Sequence, residues 1–422
     1  MTSATKMSGG PVLLVCQRSA KLPFVFEAAS RAGIDLIALH DSGEPAPLGV
    51  PAVVDTLALP VFTDPERALD ELAEQAGRLG LAGVFTVREE AVVWTANAAA
   101  RLCLPALSPK AAALTRDKGA MRRAFQAAGL PVPGFVSLNG PENIDAARHL
   151  SPPLVVKPSG GWSSTGVIRV DSQDALPGAM SAVAAIQKRD LNRYYGGMAP
   201  RIIVEEYLDG AEFVVECFVR AGNVHVLAVG DKGCPTGPWF EETVYAVRND
   251  LDDPAIAALI EAAANGIRAI GLTTGPAHVE LRQDRHGRPH LLEIGARIGG
   301  SGVSDFIVEE ATGLSFTGLC LDAARGRQMP ELPPVSWPTR IPGNYIIPLA
   351  GHGRFDGIDG LETALAHPDT RRVVPLLPEG TQVPAPPAFA GYPGFIFSVH
   401  DTPDDARAYH QWLDQMVRPR WR

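Results

Sequence analysis

The sequence predicts three successive lobes: an open parallel α/β lobe, a central α+β lobe and a small C-terminal lobe. Three observations lead to this fold class. The chain has 422 residues, a length that usually holds two or three domains. Up to about residue 115, short apolar runs alternate with helical stretches, and beyond it they follow one another across short turns. A proline-rich run at 329–343, interpreted as a linker, precedes the last part of the chain. The predicted boundaries are therefore 1–115, 116–330 and 331–422.

The composition argues against several classes of protein. Hydrophobic residues make up 46% of the chain, enough for a buried core, and the net charge is −9. A chain this acidic is not expected to bind nucleic acid or an anionic membrane surface as its main task. The five cysteines form no C-x-x-C pair, which favours a reducing compartment. No apolar window reaches the roughly 18 residues of a membrane span, and a signal-peptide pattern is absent. We therefore expect a soluble cytoplasmic protein.

The N-terminal lobe is predicted to hold a parallel sheet with crossover helices. The runs PVLLVC, IDLIAL and AGVFTV are typical of buried parallel strands. Helical stretches separate these runs, which gives a β-α-β-α-β order. The first strand is not followed by G-x-G-x-x-G, so the dinucleotide-binding fingerprint is missing. The strands are expected at 11–16, 34–39 and 82–87, and the helices at 24–32 and 65–79.

The other two lobes are predicted to mix helices with antiparallel strands. One helix runs from Asp117 to Ala128, because Gly129 and Pro131 follow it. Short turns between apolar runs predict antiparallel neighbours. The strands are expected at 154–157 and 167–170, at 202–206, 212–220 and 223–230 as one antiparallel series, and at 276–282, 290–294, 344–348 and 394–399. Two further helices are expected at 254–271 and 403–416.

A loop rich in glycine and serine follows the strand that ends at Lys157. Its sequence, SGGWSSTG, allows close backbone approach and offers several donors, which suits phosphate oxygens. A plain hairpin turn is the alternative. Lys157 itself ends an apolar strand, where a buried ammonium group needs an anion. Lys118 lies at a helix start, where an anionic ligand would balance it; a solvated side chain is the alternative for this lysine.

Two glutamates form the strongest candidate site. Glu280 and Glu293 lie near the ends of two strands that a tight turn at DRHGRP joins. If these strands pair as a hairpin, the two carboxylates face each other across the ladder. Like charges so placed repel unless a cation lies between them, and carboxylate oxygens suit Mg²⁺ shared with substrate phosphates. Two exposed carboxylates are the alternative, although apolar residues flank both.

Taken together and in order, these motifs resemble the ATP-grasp superfamily. They are D-K at a helix start, V-V-K-P before the loop, V-E-E-Y-L-D-G-x-E, H-V-E and E-I-G-A-R-I-G-G. Within the superfamily the chain is similar to carboxylate–amine ligases of the L-amino acid ligase type, and to the biotin carboxylase-like group. The resemblance covers about residues 11–330. It implies an ATP-grasp fold with a lid at about 131–206, and ATP and magnesium as ligands.

The resemblance also implies a role for individual residues. Lys118 and Lys157 would hold ATP phosphates, and the lid loop would cover them through Ser163, Ser164, Thr165 and Gly166. Glu205 would meet the adenine amino group, Glu206 and Leu208 would bind adenine through their backbones, and Glu212 would bind the ribose. Glu280 and Glu293 would hold magnesium. Arg297 would steady the acyl phosphate and the tetrahedral intermediate, with His278 beside the substrate.

One position departs from the superfamily pattern. Most ATP-grasp enzymes read E-x-N at the second metal motif, whereas this chain has Gly295 in place of the asparagine. A glycine has no side chain to bind a metal. L-amino acid ligases also tend to lack this asparagine, so the departure favours that branch. One or two magnesium ions are compatible with the remaining residues, and manganese is a possible substitute.

The substrate residues are harder to assign. A substrate carboxylate is expected at Arg297 and at the loop that contains Gly300 and Ser301. Glu89 and Glu90 are candidates for an ammonium group, with a surface pair as the alternative. Trp239 and Phe240 are candidates for a side-chain pocket, with ordinary core packing as the alternative. A homodimer is expected.

The predicted function is an ATP-dependent carboxylate–amine ligase. It would form an amide or peptide bond through an acyl phosphate and release ADP and phosphate, with amino acids or similar small acids as substrates. An enzyme of the biotin carboxylase-like or purine-pathway type, which uses bicarbonate as the acid, is one alternative. A non-catalytic nucleotide-binding homologue is the other.

Overall fold

The computed structural model describes residues 9–17, 23–195, 197–250, 253–327, 331–332, 338–388 and 391–422. Seven of the 15 residues of the predicted linker at 329–343 lie outside these ranges. The part that is described includes the start of a strand at Ile341. None of the helices in the described ranges combines the length and the apolar character that crossing a bilayer requires.

The N-terminal part is the predicted parallel sheet with helices. The strands follow the order β3-β2-β1-β4, and every neighbouring pair is parallel. Sequence analysis missed β3, an edge strand whose residues are mostly exposed or half-buried, and also missed α3 and α4. The elements are β1 (Val12–Val15), α1 (Phe24–Arg31), β2 (Leu36–Asp41), β3 (Val53–Leu59), α2 (Pro65–Leu79), β4 (Gly83–Phe85), α3 (Val92–Arg101) and α4 (Pro109–Arg116).

A second unit, here called the lid sheet, follows α5 (Lys118–Ala127). Its four strands have the order β5-β8-β6-β7 and are all antiparallel. The helix α6 covers one face and contributes Leu176, Met180 and Val183 to a small apolar core. The strands and the helix are β5 (Phe135–Leu138), β6 (Leu154–Pro158), β7 (Ile168–Val170), α6 (Leu176–Ile186) and β8 (Ile202–Glu206).

The third unit is an eight-stranded sheet, here called the central sheet. Its order is β13-β12-β9-β10-β11-β14-β18-β16, and each neighbouring pair is antiparallel. Its strands and helices up to the linker are β9 (Glu212–Arg220), β10 (Asn223–Asp231), β11 (Val244–Val247), α7 (Pro254–Ala269), β12 (Gly275–Gln283), β13 (Pro289–Gly295), α8 (Val303–Thr312) and α9 (Phe316–Ala324). Beyond the linker follow β14 (Ile341–Ile346), β15 (Gly353–Asp359), α10 (Leu361–Leu365), β16 (Thr370–Pro375), β17 (Gln382–Val383), β18 (Gly394–His400), α11 (Pro403–Met416) and β19 (Arg418–Trp421).

Two sequence predictions about strand neighbours differ from the structure. The strand at 202–206 is not antiparallel to the strand at 212–220, because β8 pairs with β5 and β6 in the lid sheet. The short connection between β8 and β9 carries the chain from one sheet to the other. In addition, β14, β18 and β16 belong to the predicted C-terminal lobe but continue the central sheet through the pairing of β11 with β14.

The alternation along β9 places the polar residues that matter for function. Phe213, Val215 and Cys217 pack into an apolar core together with α7. Val214 and Phe218 pack on the opposite face, in a core that also contains residues of α8 and α9. Because side chains alternate along a strand, Glu212 and Glu216 lie on the face of Val214 and Phe218.

The C-terminal helix contains a buried histidine that makes stability depend on pH. His410 is 4% exposed, and burial together with the nearby His400 lowers its pKa to about 4. An unfolded histidine has a pKa of about 6.5, so between these values the unfolded chain binds more protons than the folded one. The free energy of unfolding should therefore fall by up to about 3 kcal/mol as the pH drops from 7 to 4. Denaturant titrations at several pH values measure this loss, and His410→Gln should make the profile flatter; an equal slope in both proteins would contradict this.

Candidate active site

A cavity of about 820 Å³ lies between the lid sheet and the central sheet. We call it the central cavity. Most of the residues that the sequence singled out line it: Lys118, Lys157, Ser163, Ser164, Thr165, Glu205, Glu206, Leu208, Glu212, His278, Glu280, Glu293, Arg297, Gly300 and Ser301. Four do not, namely Gly166, Glu89, Glu90 and Trp239. The fold therefore gathers residues from many separate elements around one space.

The two candidate metal carboxylates face each other as the hairpin prediction requires. Glu280 on β12 and Glu293 on β13 are direct partners across the antiparallel ladder. Glu293 Oε1 accepts a hydrogen bond from Lys118 Nζ at 2.8 Å. Glu280 Oε1 lies 3.4 Å from Lys232 Nζ and 3.4 Å from His278 Nε2. The repulsion between the two carboxylates is thus offset by cationic groups of the protein.

This donor set fits magnesium shared with phosphates. Within the described ranges, no group of three or more His, Cys, Asp or Glu side chains is arranged to hold a metal ion by itself. Mg²⁺ commonly takes only one or two protein carboxylates and completes its shell with substrate phosphates and water. Glu280 and Glu293 supply this minimal set. Gly295 lies opposite His278 in the ladder and contributes no side-chain ligand.

Lys118 connects the lid loop to the carboxylates. It begins α5, whose first turn is capped by Asp117 through the N–H groups of Gly119 and Ala120. Besides its bond to Glu293, Lys118 Nζ donates to the carbonyl of Gly161 at 2.7 Å. The side chain is buried. The ammonium group of Lys118 therefore lies between the lid loop and Glu293, where it could bind an anionic ligand in the cavity.

Lys157 is held in the cavity wall by a buried ion pair. Its Nζ contacts one carboxylate oxygen of Glu205. The other oxygen of Glu205 accepts a hydrogen bond from Arg122 NH2 at 3.0 Å. Burial lowers the pKa of Lys157, while Glu205 raises it. Both oxygens of Glu205 thus bind cations, and its predicted contact with the adenine amino group stays a prediction. Sequence reasoning missed Arg122, although it follows Lys118 by four residues and so lies on the same helical face.

Sequence reasoning also missed a third buried lysine. Lys232 Nζ lies 2.8 Å from Glu212 Oε1, also contacts Glu242, and lies within 3.4 Å of Glu280. Burial lowers the pKa of this lysine, but the three carboxylates outweigh it and hold the pKa well above its usual range. Lys232 follows the apolar strand β10, which is the signal that identified Lys157.

We expect Lys232→Met to destabilise the protein by about 3 kcal/mol, since removal of one member of a buried ion cluster leaves uncompensated charge. Added Mg²⁺ should raise the melting temperature of this variant more than that of the parent, because the three carboxylates then lack their cation. Thermal unfolding with and without Mg²⁺ measures both effects. Lys110→Met, at an exposed lysine of α4, is the control and should change neither; equal stabilities of the two variants would refute the prediction.

Arg297 reaches the cavity from the loop after β13 and is held by Glu89. Its Nε contacts Glu89, whose other oxygen accepts from Arg116 NH1 at 2.9 Å. Burial raises the pKa of Glu89, but Arg297, Arg116 and Lys118 outweigh it and lower the pKa to about 2. Neither of the two candidate glutamates lines the central cavity. Glu89 lies behind Arg297, whereas Glu90 pairs with Arg88 at 3.1 Å.

His278 on β12 lines the cavity and is hydrogen-bonded to a residue outside the lining. Its Nδ1 lies 2.7 Å from Glu216 Oε1, and its Nε2 points towards Glu280. Burial lowers the pKa of His278, yet Glu216 and Glu280 raise it to about 9. Glu216 was not a candidate from the sequence, because it reads as one polar residue within the apolar strand EFVVECFVR.

The lid loop lines the cavity through Ser163, Ser164 and Thr165. Ser163 and Ser164 adopt φ values of 50° and 52°, so the turn that lines the cavity is built with two residues in the left-handed region. Gly166 follows this turn, and its N–H donates to the carbonyl of Pro387 at 3.1 Å. The loop therefore contacts the C-terminal part of the chain directly.

Of the two candidate aromatic residues, only one lines the cavity. Trp239 is 38% exposed and lies outside the lining, whereas Phe240 lines it. Phe240 stands 6.0 Å from the ring of Tyr207, measured between centroids. Tyr207 lies in the connection that links the two sheets. Tyr207 and Phe240 therefore form an aromatic part of the lining beside the connection between the two sheets.

Family comparisons agree with this geometry along most of the chain. The ATP-grasp domain family matches residues 150–305, and the ATP-grasp N-terminal domain family matches residues 26–106. The L-amino acid ligase C-terminal domain 2 family matches residues 346–422. The last match covers a region for which the sequence alone showed no clear resemblance.

Individual relatives agree as well. The crystal structure of an L-amino acid ligase from Bacillus licheniformis superposes with a TM-score of 0.91 and is 38% identical, covering 98% of this chain and 99% of that one. Alanine–anticapsin ligase from Bacillus subtilis is 26% identical over 282 residues, which is 64% of this chain and 59% of the relative. A carboxyaminoimidazole ribonucleotide synthase from Aspergillus clavatus, complexed with ATP, shares the fold with a TM-score of 0.72 at 19% identity, covering 96% of this chain and 98% of that one.

Proposed function

The chain belongs to the L-amino acid ligase family of ATP-grasp enzymes, and we propose that it joins the carboxylate of an amino acid, or a similar small acid, to an amine. It is an ATP-dependent C–N ligase. The observation that carries the substrate proposal is the cavity itself. Two opposed carboxylates, three lysines with buried side chains and Arg297 converge there beneath the lid loop.

The proposed reaction has two steps. A carboxylate oxygen of the acid attacks the γ-phosphorus of ATP, so ADP leaves and an acyl phosphate forms. The amine then attacks the acyl carbon, the bond from that carbon to the phosphate oxygen breaks, and phosphate and an amide result. Phosphoryl transfer of this kind depends on positioning and charge stabilisation, so the protein has little covalent chemistry to perform.

Each charged group has a place in this proposal. Lys118, Lys157 and Lys232 hold the phosphates, since each presents a buried ammonium group to the cavity. Magnesium, or manganese in its place, would neutralise phosphate charge when bound by Glu280 and Glu293. Arg297 and the N-terminal turn of α8 stabilise the oxyanion as it forms on the acyl carbon. His278 adds a further positive charge beside Glu280.

Closure of the lid loop protects the intermediate in this proposal. An acyl phosphate is hydrolysed if water reaches it, and closure excludes water from the reacting atoms. Ser163, Ser164 and Thr165 cover the phosphates in this proposal. The backbones of Glu206 and Leu208 bind the adenine at the connection between the two sheets, and Glu212 binds the ribose.

The partner and compartment remain parts of the proposal. We propose a homodimer, which sedimentation of the purified protein tests. A cytoplasmic location is supported by the five cysteines, which form no C-x-x-C pair and of which three are buried. Substrate recognition through Gly300 and Ser301 is supported by their place in the cavity lining, next to Arg297.

A two-dimensional screen of amino acid pairs tests the proposed function. Phosphate release should require ATP, Mg²⁺, an acid and an amine together, and mass spectrometry should find the condensed product. A bicarbonate arm separates the biotin carboxylase-like alternative, for which the structure offers only a shared fold. Nucleotide binding without turnover across the whole panel would favour a non-catalytic protein and contradict the proposal.

A further inference from the structure

A buried carboxylate lies directly behind the wall of the central cavity. Glu216 on β9 is 0% exposed and is not part of the cavity lining. Three donors converge on its Oε1: His278 Nδ1 at 2.7 Å, Tyr245 Oη at 3.2 Å, and Ser304 Oγ. They come from three different elements, β12, β11 and α8. Glu216 therefore joins three parts of the cavity wall through a single oxygen.

The carboxylate of Glu216 is not expected to add much to the stability of the fold. The second carboxylate oxygen of Glu216, Oε2, has no hydrogen-bond partner among the residues that the structure describes. A buried charge whose partners are incomplete costs free energy, and well-packed apolar residues in such a place are often as stable or more stable. Departures of this kind from good packing are expected where function requires them. The carboxylate thus calls for a role beyond stability.

The groups that Glu216 holds line the central cavity. His278 is its direct partner across the ladder between β9 and β12, and it turns its other ring nitrogen towards Glu280. Ser304 lies in the first turn of α8, immediately after the loop that contains Gly300 and Ser301. The structure leaves little space around this link, because a Cβ at Gly299 would lie 2.8 Å from His278 Nδ1 and closer still to Ser304 Oγ.

We infer that Glu216 is a positioning residue for the acid substrate. It holds the imidazole of His278 and the first turn of α8 at a fixed separation, so that the substrate carboxylate meets both in the orientation required for attack on ATP. The inference rests on the proposed function. It adds that one residue without substrate contact sets the geometry of the acid subsite and leaves the nucleotide subsite unaffected.

Glu216→Gln provides the first test, because the amide keeps the size of the side chain but replaces the carboxylate. We expect kcat to fall about 10- to 100-fold, the loss typical when a group that orients a functional side chain is removed, together with a higher KM for the acid. The KM for ATP should stay within about twofold. The control is Asp284→Asn, since the carboxylate of Asp284 accepts hydrogen bonds within the tight turn between β12 and β13, from the N–H groups of His286 and Arg288 and from Arg288 Nε, and does not line the central cavity. This control should lower the melting temperature without changing either kinetic constant for the acid.

A double-mutant cycle shows whether Glu216 acts through its partners. In a His278→Asn or Ser304→Ala background, Glu216→Gln should cost clearly less than in the parent, because the link is already broken. If Glu216→Gln does not fold, Ser304→Ala alone should raise the KM for the acid and leave the KM for ATP unchanged. Unchanged acid constants, a parallel loss for ATP, or full additivity in both cycles would overturn the inference. A parent enzyme that is inactive with every pair would instead refute the proposed function, so the two failures are distinguishable.

Discussion

Replacement of Glu293 by alanine is expected to lower amino acid-dependent phosphate release about 1,000-fold or more. Glu293 lies opposite Glu280 and accepts the ammonium group of Lys118. The variant would lose one of the two candidate magnesium carboxylates, and Lys118 would lose its carboxylate partner. The loss falls on the step in which the γ-phosphoryl group passes from ADP to the carboxylate oxygen. Preorganised electrostatic groups have their largest effects on steps of this kind. Release of phosphate under saturating ATP and Mg²⁺ measures the change.

The control for this variant is Glu261→Ala, at an exposed glutamate of α7, which should retain the parent rate. The dependence of the rate on Mg²⁺ concentration provides a second readout. In a Glu293→Gln protein that retains some activity, half-saturation should require more Mg²⁺ than in the parent. An unchanged rate in Glu293→Ala would show that the assignment of the metal carboxylates is wrong.

Arg297→Lys is expected to reduce kcat about 100-fold while the KM for ATP changes little. Lysine keeps the positive charge but lacks the planar set of donors of arginine. Arginine can therefore bind Glu89 and still present N–H groups to the cavity, whereas lysine cannot do both. The substitution should therefore remove stabilisation of the oxyanion, which develops only in the transition state. Steady-state kinetics with both substrates varied separate kcat from the two KM values.

The matched control is Arg268→Lys, at an exposed arginine of α7, and its constants should equal those of the parent. A second control addresses the fold, since Glu89 keeps Arg116 as a partner when Arg297 is changed. The melting temperature of Arg297→Lys should therefore stay close to that of the parent. If kcat is preserved in this variant, Arg297 does not stabilise the reacting centre as proposed.

The candidate site could be predicted where a local pattern stood out against its surroundings. Lys157 was found because it ends an apolar strand, and the pairing of Glu280 with Glu293 was found because one tight turn joins their strands. Both are properties of short segments. The hairpin register then follows from the alternation of side chains, and the structure confirms it.

Contacts between distant segments could not be predicted in this way. Lys232 meets Glu212, Glu242 and Glu280 only because β10 lies beside β9 and β9 beside β12. The same limit explains the central sheet, since β11 has only four residues and pairs with β14 across the predicted linker. Nothing in the local sequence of either strand specifies that partner.

The sequence also cannot show which of two adjacent residues of similar type reaches the site. Glu89 and Glu90 are equivalent in the sequence, but a short helical turn points Glu89 towards Arg297 and Glu90 towards Arg88. The direction of each side chain depends on backbone angles in a three-residue turn, which composition does not specify. The same reasoning applies to Trp239 and Phe240, of which only the second lines the cavity.

The central claim is that the reaction passes through an acyl phosphate, and an isotope experiment tests it most directly. The acid substrate is supplied with ¹⁸O in both carboxylate oxygens, and the released phosphate is analysed by mass spectrometry. One labelled oxygen per phosphate is expected, because the carboxylate oxygen that attacks the γ-phosphorus leaves with it when the amine displaces the phosphate. Unlabelled phosphate, accompanied by formation of the amide product, would contradict the account.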